Sequence, residues 1–411
     1  MASALSLSDA RARILRTVVA PLPSERVTLD RAHGRTLAGS IRADTPWPAT
    51  DRSAMDGFAL AAGSGLAVGA SLRVVGDSLA GKPFVGALGD GEAIRIMTGA
   101  VVPAGADAVV PVEQTSGFHG ERVELRAAVR AGQHIRPFGS ELVAGTEVLA
   151  AGTVLRAAAI GVLAVLGHTV VEVRRRPVVA IVATGDEVVP ADSVPLPHQV
   201  RESNSWAAAA QVGECGGEPL RLGVAPDETE ALRALLQRAL READVVLTIG
   251  GISKGTHDLV QQVLGDLGVR TQFHGLDLKP GKPTFFGLPP DGGRARAVLG
   301  LPGNPASSFT VFDLLVRPLL VALLGGDPGE WRAQLPWSGA PWHANSRLQA
   351  VPALLQFGPD GVRAVLVKPT PSGDPFGLLG GSGYVLVGGQ RAPGETPLVP
   401  FVGGAAGVWL P

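Results

Sequence analysis

A single cysteine, Cys215, in 411 residues leaves no disulfide framework and no CxxC metal site to build, and it points to a reducing compartment. A lone thiol of this kind is by default buried and inert. Charge of one sign is also missing: 36 Lys and Arg face 37 Asp and Glu, a net −1, so there is no electrostatic footprint for nucleic acid. No HExxH occurs, and no GxGxxG followed by a suitable acid, which removes local support for zinc protease and dehydrogenase chemistry. The eight histidines are scattered without ligand spacing. The first ten residues have neither a basic start nor an apolar core, so no signal peptide is evident. The most apolar stretches, 157–167 and 309–324, are too short, or are interrupted by Asp313, Arg317 and Pro318, to span a bilayer. A soluble, cytoplasmic protein without a membrane partner is expected. No fixed-period repeat is present.

What the chain has in abundance is glycine (55) and proline (33), with 45 % hydrophobic residues that argue against disorder. Its length exceeds one ordinary core and predicts two to four domains. Ser8–Leu15 reads as a capped helix ended by Pro21 and Pro23. From Ser71 to Val148 short alternating runs with glycine turns predict a β-rich domain. Helix 157–166 and strand 169–173 follow, and beyond the basic hinge Arg174-Arg175-Arg176-Pro177 the pattern changes. Apolar strands at 178–183, 245–249, 284–287 and 297–299 then alternate with helices at 202–215, 229–240, 259–267 and 309–324. That alternation predicts a parallel, doubly wound sheet covered on both faces. From about Gly325 glycine and proline rise again, and runs such as Ala364-Val365-Leu366-Val367 mark a small C-terminal β domain.

The candidate chemistry lies in glycine-rich turns after these strands, where α/β proteins bind anions and nucleotides. Ala183-Thr184-Gly185-Asp186-Glu187 offers two carboxylates for a divalent cation or a ribose hydroxyl, or is a turn with a solvated acid. In Gly250-Gly251-Ile252-Ser253-Lys254-Gly255-Thr256-His257-Asp258 the glycines open the backbone while Ser253, Thr256 and Asp258 supply polar groups; the plain alternative is helix capping by Thr256 or Asp258. His257 reads more readily as a surface residue than a catalytic one. Lys279-Pro280-Gly281-Lys282-Pro283 presents two cations on a proline-stiffened turn, against the alternative of a solvated lysine pair. Pro302-Gly303-Asn304-Pro305 forces a tight loop. Each motif alone is weak, and their shared placement at strand ends of one sheet is what carries the functional reading. Gly76–Pro83 mimics a phosphate loop, but Pro83 stands where the metal-binding Ser/Thr belongs and the segment falls in the β-rich region.

Together with Asp51–Ala59, Ile96–Ala100, Gly105–Val110 and Ser203-Asn204, these motifs follow one order that resembles the molybdopterin molybdenumtransferases, the family of bacterial MoeA and the gephyrin E domain. The resemblance covers nearly the whole chain. It implies an α/β multidomain protein: a doubly wound, MogA-like α/β molybdopterin-binding domain (178–325), a β-rich domain (46–139), a discontinuous mixed linking domain (1–45 and 140–177) and a small C-terminal β-barrel (326–411). It further implies a homodimer whose cleft joins the α/β domain of one chain to the β-rich domain of the other. The implied activity is Mg²⁺-dependent insertion of molybdate into adenylylated molybdopterin with release of AMP, the final step of molybdenum cofactor synthesis. The molybdopterin adenylyltransferase and molybdoenzyme apoproteins are expected partners.

Carried over residue by residue, the resemblance implies catalytic roles for Asp56, Glu187, Asp227 and Asp258, with Glu187 and Asp258 as metal ligands. Substrate contacts fall to Thr98, Asp186, Gly250, Gly251, Ser253, Gly255, Lys279, Lys282, Pro302, Gly303, Asn304, Pro305 and Ser372. The chain departs from the family pattern at Lys254, at Thr256-His257, at Glu202 and at Ser140-Glu141. Two other readings are an adenylyltransferase-like nucleotide enzyme, disfavoured by the flanking β-rich regions, and a non-catalytic scaffold, disfavoured because Asp56, Asp186, Glu187, Asp227 and Asp258 are all present.

Overall fold

A computed structural model describes residues 4–18, 20–226, 228–252, 259–329, 333–338, 346–367, 373–379, 381–388 and 399–403. The chain divides into two compact units, one comprising Met1–Gly39, Ala151–Ile160 and Thr169–Pro411 and the other Ser40–Ala150 with Gly161–His168.

In the first unit the apolar runs past the arginine hinge become a six-stranded sheet. Its order is Glu218–Ala225, Val178–Thr184, Val245–Ile249, Ala297–Leu301, Phe285–Leu288, Arg270–His274. The first four strands are parallel, as the alternation predicts; Phe285–Leu288 runs antiparallel to both its neighbours, so Arg270–His274 at the edge returns to the direction of the first four. Successive residues serve opposite faces. Val179, Ile181, Val245, Leu247 and Leu299 join one core with Leu7, Ala208, Val212 and Phe312, while Ala180, Val182, Val246 and Val298 join another with Leu232, Leu236, Val260 and Leu264. Burial on both faces is why these strands read as unbroken apolar runs.

The helices agree with the periodicity to within a few residues: Asn204–Glu214, Thr229–Glu242, Leu259–Asp266 and a long segment from Pro305 to Leu323. The last is long and apolar enough for a membrane by composition alone, but 78 % of it is buried in protein, which makes it a core helix. It contains a π-helical turn at Phe312–Val316. The N-terminal helix spans Leu7–Leu15, and its cap is Ser6 rather than Ser8, with the Ser6 hydroxyl accepting from the Asp9 N–H at 3.1 Å.

A mixed seven-stranded sheet forms the C-terminal part of this unit, built from Ala333–Leu335, Trp337–Ser338, Leu348–Gly358, Gly361–Leu366, Gly383–Val387 and Val399–Gly403. Its seventh strand is Leu278–Lys279, paired in parallel with Leu348 and Gln349. This corrects the sequence expectation. The Lys279–Pro283 turn does not cap a strand of the central sheet; it lies in the connection between two of that sheet's strands and is pinned to the C-terminal sheet.

The second unit is built on a five-stranded sheet in the order Ala108–Pro111, Gly57–Leu60, Glu92–Ile96, Ser71–Ser78, Arg122–Glu124. Its core gathers Phe58, Leu60, Leu72, Ala93, Val110 and Val123. The decoy segment falls here: Gly76 and Ser78 sit inside a strand, and Leu79 and Lys82 exchange backbone hydrogen bonds at 3.0 Å across a tight turn with no helix after it.

Candidate functional site

Three of the predicted turns leave adjacent parallel strands, because Ala183 pairs with Ile249 and Ile249 with Leu301. They therefore share one edge of the central sheet, and the contacts among them are backbone-close. Gly250 and Gly251 adopt φ +89° and +63°, and a Cβ on either would meet Thr184, its carbonyl oxygen at 2.7 Å from Gly250 and its Oγ1 at 2.8 Å from Gly251. Only glycine fits there. The Gly250 N–H donates to the Leu301 carbonyl at 3.1 Å, tying the second turn to the third. The third turn is fixed from another side, where the Asn204 Nδ2 amide donates to the Gly303 carbonyl at 2.6 Å. Asn304 occupies the cap position of the helix that begins at Pro305.

On the first turn Asp186 and Glu187 are both exposed. Gly185 has φ +133°, and a Cβ there would come within 2.7 Å of Glu187 Oε2, so the Glu187 carboxylate lies over its own turn. The Glu187 carbonyl accepts from the Val200 N–H at 2.8 Å, which holds the following loop.

The lysine turn is built tightly around Gly281. With φ +125°, a Cβ there would meet Val311 Cγ2 at 2.7 Å. The Thr284 hydroxyl donates to the Gly281 carbonyl at 2.7 Å, and the Leu276 N–H to the Lys282 carbonyl at 2.9 Å. Both lysine side chains remain exposed. A third cation arrives from the C-terminal sheet: Arg347 Nη1 approaches the Leu278 carbonyl at 3.5 Å, 69 residues away in sequence. From the same sheet's side, a Cβ at Gly373 would stand 4.0 Å from Asn304 Oδ1.

In the second unit Asp56 is presented by a clamp. Its Oδ1 accepts the Thr98 backbone N–H at 2.6 Å and the Thr98 hydroxyl at 2.7 Å. Those two bonds, the N–H first, hold the Asp56 carboxyl below the ordinary aspartate range. Among the described residues no hydrogen bond engages Oδ2. The neighbouring Gly57 is obligatory, since a Cβ would fall 1.9 Å from the Val110 carbonyl oxygen.

Of the sequence-predicted residues, Asp186, Glu187, Gly250, Gly251, Pro302, Gly303, Asn304 and Pro305 are thus gathered on one sheet edge, Lys279 and Lys282 on the adjoining turn of the same unit, and Asp56 with Thr98 in the other unit. Asp227, Ser253, Gly255, Asp258 and Ser372 lie outside the described residues, as do Lys254 and His257. Asn204 and Arg347 were missed as site residues. Asn204 had a signal in its Ser-Asn motif; Arg347 had none that a local pattern could carry. Cys215 is buried, and desolvation pushes its thiol up to about 12, so it is inert as expected.

Comparison with known proteins identifies matches along most of the chain. Residues 5–167 match the MoeA N-terminal region (domain I and II), and residues 180–322 match a probable molybdopterin binding domain. A molybdopterin molybdenumtransferase of Nostoc sp. is 38 % identical over 331 residues, 78 % of this chain and 74 % of that protein. The molybdopterin molybdenumtransferase of Haemophilus influenzae is 33 % identical over 321 residues, 78 % of both chains. Among solved structures, a molybdopterin biosynthesis MoeA protein from Pyrococcus horikoshii superposes with a TM-score of 0.80 at 26 % identity, covering 97 % of this chain and 99 % of that one.

Proposed function

The chain belongs to the molybdopterin molybdenumtransferase family, and from that premise we propose that it inserts molybdate into adenylylated molybdopterin and releases AMP, the last step of molybdenum cofactor synthesis. One observation carries this reading: three glycine-containing turns, the first bearing Asp186 and Glu187, share a sheet edge, and a further turn of the same unit presents Lys279 and Lys282 next to the Leu278 carbonyl that Arg347 approaches. Such an arrangement suits a ligand that is both nucleotide and oxyanion.

In this reading the amides of Gly251 and Gly303 receive the phosphate oxygens, while Gly250, whose own N–H is tied to the Leu301 carbonyl, lets the ligand approach the turn closely. Lys279 and Lys282 hold molybdate by charge, with Ser253, Gly255 and Ser372 as further substrate contacts. Asp186 and Asn304 orient the nucleotide, and Pro302 and Pro305 stiffen the wall. Glu187, Asp227 and Asp258 orient the nucleotide and help activate the attacking oxygen. Asp56, with Thr98 fixing its carboxylate, completes the constellation from the β-rich domain of a second subunit in a homodimer.

Magnesium fits the donors. Glu187 and Asp258 are hard oxygen donors, and two carboxylates with water and substrate phosphates are the shell such an ion takes. When bound, Mg²⁺ would neutralise charge on the bridging phosphates. The four-part division at 1–45 with 140–177, 46–139, 178–325 and 326–411 belongs to the same proposal, as do a cytoplasmic setting and contacts with the adenylyltransferase and molybdoenzyme apoproteins.

The test is direct. The pure protein is mixed with adenylylated molybdopterin, molybdate and Mg²⁺, and AMP is followed. AMP release that needs molybdate, stops with EDTA and returns with Mg²⁺ supports the reading. Transfer of AMP from ATP onto molybdopterin would instead make the protein an adenylyltransferase.

A further inference from the structure

Behind the site, the first unit buries a set of polar side chains that the proposed chemistry does not use. Asp313 lies in the π-helical turn with its side chain 0 % exposed. Its Oδ1 accepts from Arg317 Nη2 at 2.7 Å and Nε at 3.0 Å, and from Gln211 Nε2 at 3.1 Å. Its Oδ2 accepts from the Tyr384 hydroxyl at 3.4 Å. Arg317 also reaches Glu214 at 3.5 Å, and Gln211 donates to the Phe309 carbonyl at 3.2 Å. Two helices of the α/β sandwich, Asn204–Glu214 and Asp313's own, therefore supply Gln211 and Arg317 to one carboxylate, and the third partner, Tyr384, comes from the C-terminal sheet.

A buried charge is expensive, and replacing such a network with apolar groups commonly costs nothing in stability. Its benefit is geometric, because each partner must occupy one place for the carboxylate to be satisfied. Burial pushes Asp313 up while Arg317 opposes that shift, and Tyr384 is pushed well above the ordinary phenol value by burial and by Asp313, so the hydroxyl keeps its proton and donates. Tyr384 stands opposite Pro352 in the strand beside Leu348–Gly358. That latter strand starts at the pairing of Leu278 with Leu348, next to Arg347 and Lys279. A slip of the C-terminal sheet would thus displace the third cation from the lysine turn and Gly373 from Asn304.

We propose that Asp313 and Tyr384 are positioning residues for the anion site, fixing the register of the C-terminal sheet so that Arg347 meets the Lys279–Lys282 turn. The inference rests on the reading of that turn as the molybdate site. Tyr384→Phe keeps the ring and removes only the hydroxyl, and Asp313→Asn keeps the volume. Loss of one such hydrogen bond is expected to raise the molybdate KM about three- to tenfold while kcat stays within about twofold. The double variant should cost no more than the worse single one, since both act through the same contact. A second readout is available because Tyr384 is the chain's only tyrosine. Protein labelled with 3-fluorotyrosine gives one ¹⁹F resonance, which should move when molybdate saturates the wild type. In Asp313→Asn, shown folded by circular dichroism, that movement should be lost. Normal wild-type turnover with an unchanged molybdate KM in Tyr384→Phe, or a ¹⁹F resonance indifferent to molybdate, overturns this inference alone. Absence of wild-type turnover overturns the functional reading and this inference with it.

Discussion

Asp56 and Thr98 stand 42 residues apart, yet one carboxylate oxygen of Asp56 accepts both the N–H and the hydroxyl of Thr98. A carboxylate that accepts two bonds from one residue is aimed before any ligand arrives. The clamp sits on an exposed loop, where packing would otherwise leave the side chain free to rotate.

Thr98→Val should therefore loosen Asp56 without unfolding the unit. The folded pKa of Asp56 lies below the ordinary 3.8, so its contribution to stability is present above that value and is lost as pH falls through the depressed one. In Thr98→Val the Asp56 midpoint should rise toward 3.8, read by NMR of the labelled carboxyl. Asp56→Ala is expected to reduce AMP release by about 10²-fold or more, as removal of a positioned acid–base group does, with an unchanged circular dichroism spectrum.

Gly250→Ala forces a Cβ to within 2.7 Å of the Thr184 carbonyl at φ +89°. A non-glycine residue in such a conformation costs about 1–3 kcal/mol before the clash is counted. Urea unfolding should show a loss of at least that size, together with lost activity. A variant as stable and active as the wild type would mean that the two turns do not approach as described.

Asp244 anchors the arginine hinge to the central sheet. Burial alone would raise its carboxyl, but the bidentate Arg175 at 2.7 and 2.9 Å, the Val178 N–H at 2.8 Å and Arg294 together hold it below the ordinary 3.8. Asp244→Asn removes the counter-charge of two half-exposed arginines and should destabilise the protein by about 1–3 kcal/mol at pH 7. The charge-dependent part of that difference is present above 3.8 and should fade as pH drops through the lowered folded value. Paired urea titrations at pH 7 and under acid conditions measure it.

Much of this architecture was legible in the sequence. The central parallel strands announce themselves because both faces are buried, so every residue from Val178 to Ala183 is apolar and no alternation obscures the run. Their turns were legible too, since positive φ at Gly185, Gly250 and Gly251 leaves few residue choices. The edge strand Glu218–Ala225 was missed because it carries mixed burial and a bulge at Leu222, between Arg221 and Gly223. Leu278–Lys279 was assigned to the wrong sheet because pairing with Leu348 is a long-range contact that no local pattern encodes. Arg347 was missed for the same reason. Asp313 and Arg317, read only as interruptions of an apolar helix, prove to be a satisfied buried pair.

The exposed lysines make the most decisive variants, because replacing surface side chains normally changes stability by no more than about 0.5 kcal/mol. The measurement is the ratio of AMP released to molybdenum retained per subunit, for wild type and for Lys279→Ala/Lys282→Ala in one reaction series. Equal amounts are expected for the wild type, and for the variant little retained molybdenum even at raised molybdate concentration. Equal retention of molybdenum by the folded double variant would contradict that expectation.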